Sequence, residues 1–115
     1  MREEILVWLH DIKTQILEVE AFYASTGRSF REFSKNKMLR KAVERNFEII
    51  GEAMGRILEK DPDIAISNAK KIVAFRNKIA HEYDKLDDET LYNISVVYLP
   101  TLLKEVDKIL DKHKP

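Results

Sequence analysis

Cysteine is absent from the 115-residue chain, and glycine and proline each occur only three times. Without cysteine the protein can form neither disulfides nor thiolate sites, which fits a reducing compartment. Because glycine and proline dominate turns, their scarcity favours long helices over a turn-rich β protein. No apolar run approaches the roughly 18 residues of a membrane span, and the N-terminal stretch lacks a signal-peptide pattern. We therefore expect a soluble, cytoplasmic protein.

A net charge is also absent, because 20 basic residues balance 20 acidic ones. This balance argues against a protein that coats nucleic acid through bulk electrostatics, although a local basic groove remains compatible with it. Apolar residues make up 44% of the chain, which is enough for a real core. The length fits one domain, so we take residues 1–115 as a single domain.

Apolar residues recur at spacings of three and four along most of the chain, which indicates amphipathic helices. The pattern predicts an all-α, up-and-down bundle of four main helices with one short helical connector. The predicted helices cover residues 3–23, 37–60, 67–83 and 89–110, and the connector covers 28–37.

Helix ends are marked by a few residues. Gly27 can take the left-handed conformation that closes the first helix, and Asp87 or Asp88 is expected to cap the last one. Pro100 predicts a kink within the last helix, because the apolar stripe continues beyond it. Gly51 and Gly55 lie one turn apart, so they predict close packing of another backbone.

The stretch RNKIAHEY, residues 76–83, carries most of the polar chemistry of the third helix. Arg76 offers a planar, permanently charged fork that matches a phosphate, and His81 can give or take a proton near neutral pH. Asn77 lies four positions before His81 and can orient the histidine through its amide, and Ala80 leaves space between Arg76 and His81. This set suits metal-free RNA cleavage, in which a base activates the ribose 2′-hydroxyl and arginine stabilises the added negative charge. No residues stand at metal-ligand spacing, so we expect neither a metal nor a cofactor.

Simpler interpretations stay open for each of these residues. An arginine and a histidine five positions apart occur by chance in many helices, and Tyr83 could simply close the helix. Lys70, Lys71, Arg40 and Arg45 could form a basic rim for RNA, or a solvated charged face. Glu52 could pair with an arginine near the cleft, or with Arg56 on the surface. Taken alone, the residues support a helical bundle with a polar site.

The complete motif resembles the R-x4-H signature of the HEPN superfamily, in the R-N-x-x-A-H-x-Y form of HepT-like proteins. The segment KAVERNFEIIGEAMGRI, residues 41–57, and the segment from Asp84 to Val106 with its late Leu-Pro are also similar to that family. The Ile-Pro-Trp element that many relatives carry before the motif helix is missing here, where the chain reads DIAISNAKKIV.

The resemblance implies an all-α homodimer that acts as a metal-independent endoribonuclease toxin, with Arg76 and His81 catalytic and Asn77 supporting. It further implies an MNT-type nucleotidyltransferase as antitoxin, which can transfer AMP onto Tyr83. A rival hypothesis is a non-catalytic module that binds nucleotide or RNA, or that only docks the nucleotidyltransferase.

Overall fold

The computed structural model describes residues 1–82, 84 and 86–114, and within these residues all regular structure is helical. The elements are α1 (Glu3–Thr26), α2 (Phe30–Lys35), α3 (Lys37–Lys60), α4 (Ala69–His81), α5 (Asp88–Asn93), a π-helical segment (Ile94–Tyr98) and α6 (Leu99–Lys112). Since α5, the π-helical segment and α6 follow one another without a gap, they form one long C-terminal helix. The predicted all-α fold of four main helices and a short connector is confirmed.

The apolar stripes of the long helices form the core. α3 packs along both α1 and α4, and α6 packs on α1. The apolar residues that recur at spacings of three and four along α1 and α3 are buried. These are Ile5, Leu9, Ile12, Ile16, Val19 and Tyr23 on α1, and Leu39, Val43, Phe47, Ile50, Met54 and Ile57 on α3. Among the described residues, no helix is long and apolar enough to cross a membrane.

The junction between α1 and α3 is fixed by local hydrogen bonds. α1 runs three residues beyond its predicted end, and the Thr26 hydroxyl donates to the Phe22 carbonyl oxygen at 2.9 Å. Gly27 then takes a positive φ of 90° with an extended ψ of 151°, so it closes α1 without adopting the left-handed helical conformation. Asn36 caps α3, because its Oδ1 accepts a hydrogen bond from the Leu39 amide at 3.0 Å.

The start of α4 is set by a contact from a distant helix. Ser67, the predicted first residue, lies outside α4, which begins at Ala69. The Ser67 amide and hydroxyl donate to the two carboxylate oxygens of Glu105 on α6, at 2.9 and 3.1 Å. These bonds hold Ser67 in the connection, so the predicted start was two residues early.

The C-terminal helix contains the one predicted irregularity. Asp87 is its N-cap, as one of the two expected residues, and its Oδ1 accepts from the Thr90 amide at 2.7 Å. Just before Pro100 the helix widens into the π-helical segment, at whose end the Leu99 amide donates to the Ile94 carbonyl oxygen five residues earlier. Because Pro100 has no amide hydrogen, a regular turn would leave one carbonyl without its donor. The π-turn lets the helix continue, which confirms that the proline does not stop it.

Candidate functional site

A groove runs between α3 and α4, and we call it the α3–α4 groove. It has two hollows, which occupy different stretches of the same helix pair. The first, of about 530 Å³, is lined by Lys41, Glu44, Arg45, Glu48, Ile79 and Ala80. The second, of about 230 Å³, includes Glu52, Arg56, Glu59, Val73, Arg76 and Asn77 in its lining, and we call it the Arg76 hollow. The motif helix thus presents Arg76, Asn77 and Ala80 along one groove.

Arg76 reaches the Arg76 hollow from a stem packed on α3. The carbon stem lies directly over Gly51, where a Cβ atom would be only 2.7 Å from Arg76 Cγ. The guanidinium Nε is enclosed and has no hydrogen-bond partner among the described residues, whereas Nη1 donates to Asn77 Oδ1 at 3.2 Å. Nη1 therefore contacts Asn77, and Arg76 lines the hollow together with it.

Asn77 and His81 are both exposed on α4. Asn77 uses its side-chain oxygen to accept from Arg76, so it orients the guanidinium in this structure. His81 is the last residue of α4, where its ring is open to solvent at the helix end. A phosphate needs donors with freedom to reach it, and an exposed imidazole can approach a bound substrate without displacing core residues. Tyr83 lies outside the described residues.

Acidic side chains share the groove with the basic ones. Glu52 pairs with Arg56 on the same helix, with Oε1 3.1 Å from Nη2, which decides between the two predicted partners of Glu52. Arg45 pairs with Glu48 at 3.3 Å. Partial burial raises the pKa of the Glu44 carboxyl above its ordinary value, against the opposing effect of Lys41. The groove therefore carries mixed charge, and Arg76 differs from Arg45 and Arg56 in having no carboxylate in an ion pair among the described residues.

The four residues predicted as a basic rim lie in three different surroundings. Lys70 and Lys71 are exposed near the start of α4 and line a hollow with Ile64 and Ile66. Arg45 lies in the first hollow of the groove, beside Ala80.

Arg40 is half-buried and serves a joint between helices. Its guanidinium donates to the Ser34 carbonyl oxygen, and its Nε lies 3.4 Å from Asp88 Oδ1 at the start of α5. A side chain held from two sides has less freedom to follow a ligand than an exposed lysine. Because Arg40 contacts Ser34 and Asp88, it is not part of the lining described for the α3–α4 groove.

The sequence indicated close packing at both Gly51 and Gly55, but it did not reveal which residue fills the space. The structure shows that Gly51 receives the stem of Arg76, whereas a Cβ at Gly55 would meet only Val73 Cγ2 at an ordinary 4.0 Å. The helical spacing of Glu48, Glu52 and Glu59 on α3 was the available signal for an acidic lining of this groove. Within the described residues, no group of three or more His, Asp or Glu residues could hold a metal ion.

Comparison with protein families gives one match that covers most of the chain. Residues 12–109 match the family described as Ribonuclease HepT-like. This region contains α2, α3, α4 and most of α1 and α6, and therefore the whole α3–α4 groove.

Several curated proteins are similar to the chain over nearly its full length. Putative RNase MJ0125 of Methanocaldococcus jannaschii is 30% identical, with 95% of this chain and 93% of the relative covered. Putative RNase MJ1380 of the same organism is 34% identical, with 92% and 96% covered. Putative RNase TTE0752 of Caldanaerobacter subterraneus is 34% identical over 76% of this chain and 80% of that protein. No solved structure matches significantly.

Both the extent of the family match and the identity to relatives of similar length agree with the all-helical fold. The match includes the helix that carries Arg76 and His81 and the helix that carries Gly51. The chain belongs to the HepT-like ribonuclease family.

Proposed function

We propose that this protein is a metal-independent endoribonuclease that acts as the toxin of a toxin–antitoxin pair, with RNA as its substrate. The family and the ribonuclease names of the relatives support the reaction class. The observation that carries the site assignment is the placement of Arg76: its stem is seated over Gly51, its Nη1 donates to Asn77, and the residue lines the α3–α4 groove. A homodimer, in which two copies of α4 line a shared cleft, is part of the same proposal.

The proposed reaction uses the ribose as its own nucleophile. His81 accepts the proton of the 2′-hydroxyl, and the 2′-oxygen then attacks the adjacent phosphorus. The bond from phosphorus to the 5′-oxygen breaks, that oxygen takes a proton from water, and the protonated His81 returns its proton to the solvent, which produces a 2′,3′-cyclic phosphate and a free 5′-hydroxyl. Arg76 stabilises the negative charge that builds on the phosphoryl oxygens. Asn77 holds the guanidinium in place through the hydrogen bond from Nη1.

The proposed regulator is an MNT-type nucleotidyltransferase that transfers AMP from ATP onto Tyr83. The tyrosine follows the catalytic histidine by two positions in the sequence. An AMP group adds negative charge, which would compete with RNA for the guanidinium of Arg76. Incubation with the nucleotidyltransferase and ATP is expected to add one AMP, detected by intact-protein mass, and Tyr83→Phe is expected to abolish that addition. An unchanged adduct on Tyr83→Phe would contradict the assigned acceptor.

The decisive experiment is cleavage of bulk cellular RNA in the presence of EDTA. Wild type is compared with Arg76→Ala and His81→Ala, each verified as folded by circular dichroism. Arg31→Ala and His113→Ala are matched controls, because both residues are exposed and lie away from the groove. We expect wild type and both controls to cut, while the two site variants lose at least 100-fold in rate. Equal cutting by all five proteins would remove Arg76 and His81 from the mechanism.

One observation favours a second function, a non-catalytic module that binds nucleotide or RNA or docks the nucleotidyltransferase. The groove contains four glutamates, Glu44, Glu48, Glu52 and Glu59, which repel a polyanion and therefore favour the docking form of this alternative over RNA binding. Under this alternative, unmodified wild type leaves RNA intact in the cleavage experiment but still receives AMP on Tyr83. The two assays therefore separate a ribonuclease from an acceptor module.

A further inference from the structure

We infer that Gly51 is a positioning residue for Arg76, because the missing side chain at residue 51 determines where the guanidinium lies. The catalytic consequence rests on the function proposed above, whereas the positioning itself does not depend on it.

The space above Gly51 is already filled by Arg76. A Cβ atom at residue 51 would overlap Arg76 Cβ, lie 2.7 Å from Arg76 Cγ and come within 3.2 Å of the Ile72 carbonyl oxygen. The first two atoms belong to the root of the arginine, and the third belongs to the backbone. Rotation of a side-chain tip cannot relieve such an overlap, so the α4 backbone at Ile72 and Arg76 must move away from α3.

A shift of Arg76 Cβ and Cγ also displaces the guanidinium at the end of the same side chain. In the present arrangement Nε is enclosed without a partner in the part of the chain that the structure describes, and Nη1 reaches Asn77 Oδ1 at 3.2 Å. A hydrogen bond of this length weakens quickly with further separation. A displacement of about 1 Å at a catalytic group can lower a rate by about 100-fold, because the reacting atoms lose their alignment.

Gly55 provides a natural comparison within the same helix. It lies one turn after Gly51, and a Cβ there would meet only Val73 Cγ2 at 4.0 Å, an ordinary van der Waals contact. Both substitutions to alanine replace a helical glycine with a better helix former. The two variants therefore share their effect on α3 and differ in their effect on Arg76.

The test compares Gly51→Ala with Gly55→Ala by two independent measurements. The first is the NMR cross-peak of the Arg76 Nε–H group, which reports the surroundings of the guanidinium without any substrate. The second is RNA cleavage in EDTA, with kcat and KM measured separately. We expect Gly51→Ala to shift the Arg76 cross-peak and lower kcat at least tenfold, with KM within about threefold of wild type. Gly55 also lines the Arg76 hollow, so Gly55→Ala controls for an added methyl group there: it is expected to leave the Arg76 cross-peak in place and to lower kcat less than Gly51→Ala does.

An unshifted Arg76 cross-peak in Gly51→Ala would overturn the inference, and so would equal losses in the two variants. A shifted cross-peak with unchanged kcat would overturn its catalytic consequence. If wild type itself does not cut RNA, the proposed function fails, and the cross-peak alone decides whether Gly51 positions Arg76.

A wild-type measurement covers the case in which Gly51→Ala does not fold. Direct packing predicts a nuclear Overhauser contact between the Gly51 Hα protons and the Arg76 Hβ protons, and its absence would overturn the inference. The double variant Gly51→Ala/Arg76→Gly adds a side chain at residue 51 of α3 and removes the side chain at residue 76 of α4, with which the first would overlap. It is expected to recover the fold if the overlap with Arg76 is the cause, and failure to recover would contradict that cause.

Discussion

The hydroxyl oxygens of Tyr23 and Ser95 lie 2.5 Å apart in the interior, and this hydrogen bond joins α1 to the π-helical segment. Ser95 Oγ also donates to the Tyr92 carbonyl oxygen at 2.7 Å, which uses its only proton. Tyr23 is therefore the donor to Ser95. The irregular part of the C-terminal helix is thus tied to the first helix of the chain by a polar contact within the core.

Tyr23→Phe is expected to destabilise the protein by about 1–2 kcal/mol, because it removes a buried hydrogen bond and leaves the Ser95 oxygen without its donor. Tyr98→Phe is the matched control, since the Tyr98 hydroxyl is buried and has no partner within residues 1–82, 84 and 86–114, so its removal is expected to be neutral or stabilising. Urea unfolding at neutral pH measures both free energies. A loss in Tyr98→Phe as large as that in Tyr23→Phe would contradict the assigned contacts.

Alkaline pH is expected to destabilise the protein through its buried phenols. Burial raises the pKa of Tyr98 to about 12, and burial likewise raises the pKa of Tyr23. Because the unfolded chain ionises near pH 10 and the folded chain at higher pH, this stability is complete below pH 10 and is lost as pH rises toward 12. Urea unfolding at pH 9 and pH 11 is expected to show a smaller loss in Tyr98→Phe than in wild type. Parallel losses would exclude Tyr98 as the source.

Acidic pH is expected to weaken the start of α5. The hydrogen bond from the Thr90 amide lowers the pKa of the Asp87 carboxyl. A lowered pKa gives stability that is present above the unfolded value near 4 and is lost as pH falls through the folded value. Asp87→Asn keeps a capping oxygen but cannot titrate. Thermal unfolding is therefore expected to show wild type losing its advantage over Asp87→Asn below about pH 4, and a constant advantage would contradict this origin.

Removal of negative charge from the α3–α4 groove is expected to strengthen RNA binding. Glu52→Gln releases Arg56 from its ion pair, and Glu59→Gln removes a second carboxylate from the Arg76 hollow. Exposed charge interactions are worth about 0.2–1 kcal/mol, so each change is expected to lower Kd by roughly 1.5- to 5-fold at low salt.

Fluorescence anisotropy with labelled RNA measures this effect in an Arg76→Ala background, which lacks the arginine proposed to take part in cleavage. Glu3→Gln is the control, because Glu3 is an exposed acidic residue in the first turn of α1. The gain is expected to disappear in high salt, where exposed charges are screened. An equal gain from Glu3→Gln would indicate a general charge effect with no role for the groove.

Apolar periodicity predicted the helices well, because each buried stripe follows the 3.6-residue period over several turns. The start of α4 was missed because Ser67 is held by Glu105, 38 positions later, and no local pattern encodes such a contact. Apolar periodicity could not distinguish a kink at Pro100 from a π-turn. A segment of five residues is too short to separate the period of an α-helix from that of a π-helix.

The candidate site could be predicted in part. The motif located Arg76 and His81 on one helix, and the two glycines of α3 predicted a close approach. The sequence could not pair Gly51 with Arg76, because that contact depends on the offset between two helices. The ion pairs of Arg40 and Arg45 could not be predicted either, since the sequence gives the charge of a basic residue but does not identify its partner.

The packing of the Arg76 stem over Gly51 also affects when the side chain loses its freedom. A long side chain such as arginine can lose up to about 2 kcal/mol in rotamer entropy when it becomes ordered. Because α3 and α4 order the root of Arg76 as they pack, much of this loss accompanies folding. Less side-chain entropy of Arg76 is then lost when an anion binds the guanidinium. The same contacts therefore give a lower Kd than they would with a fully exposed arginine.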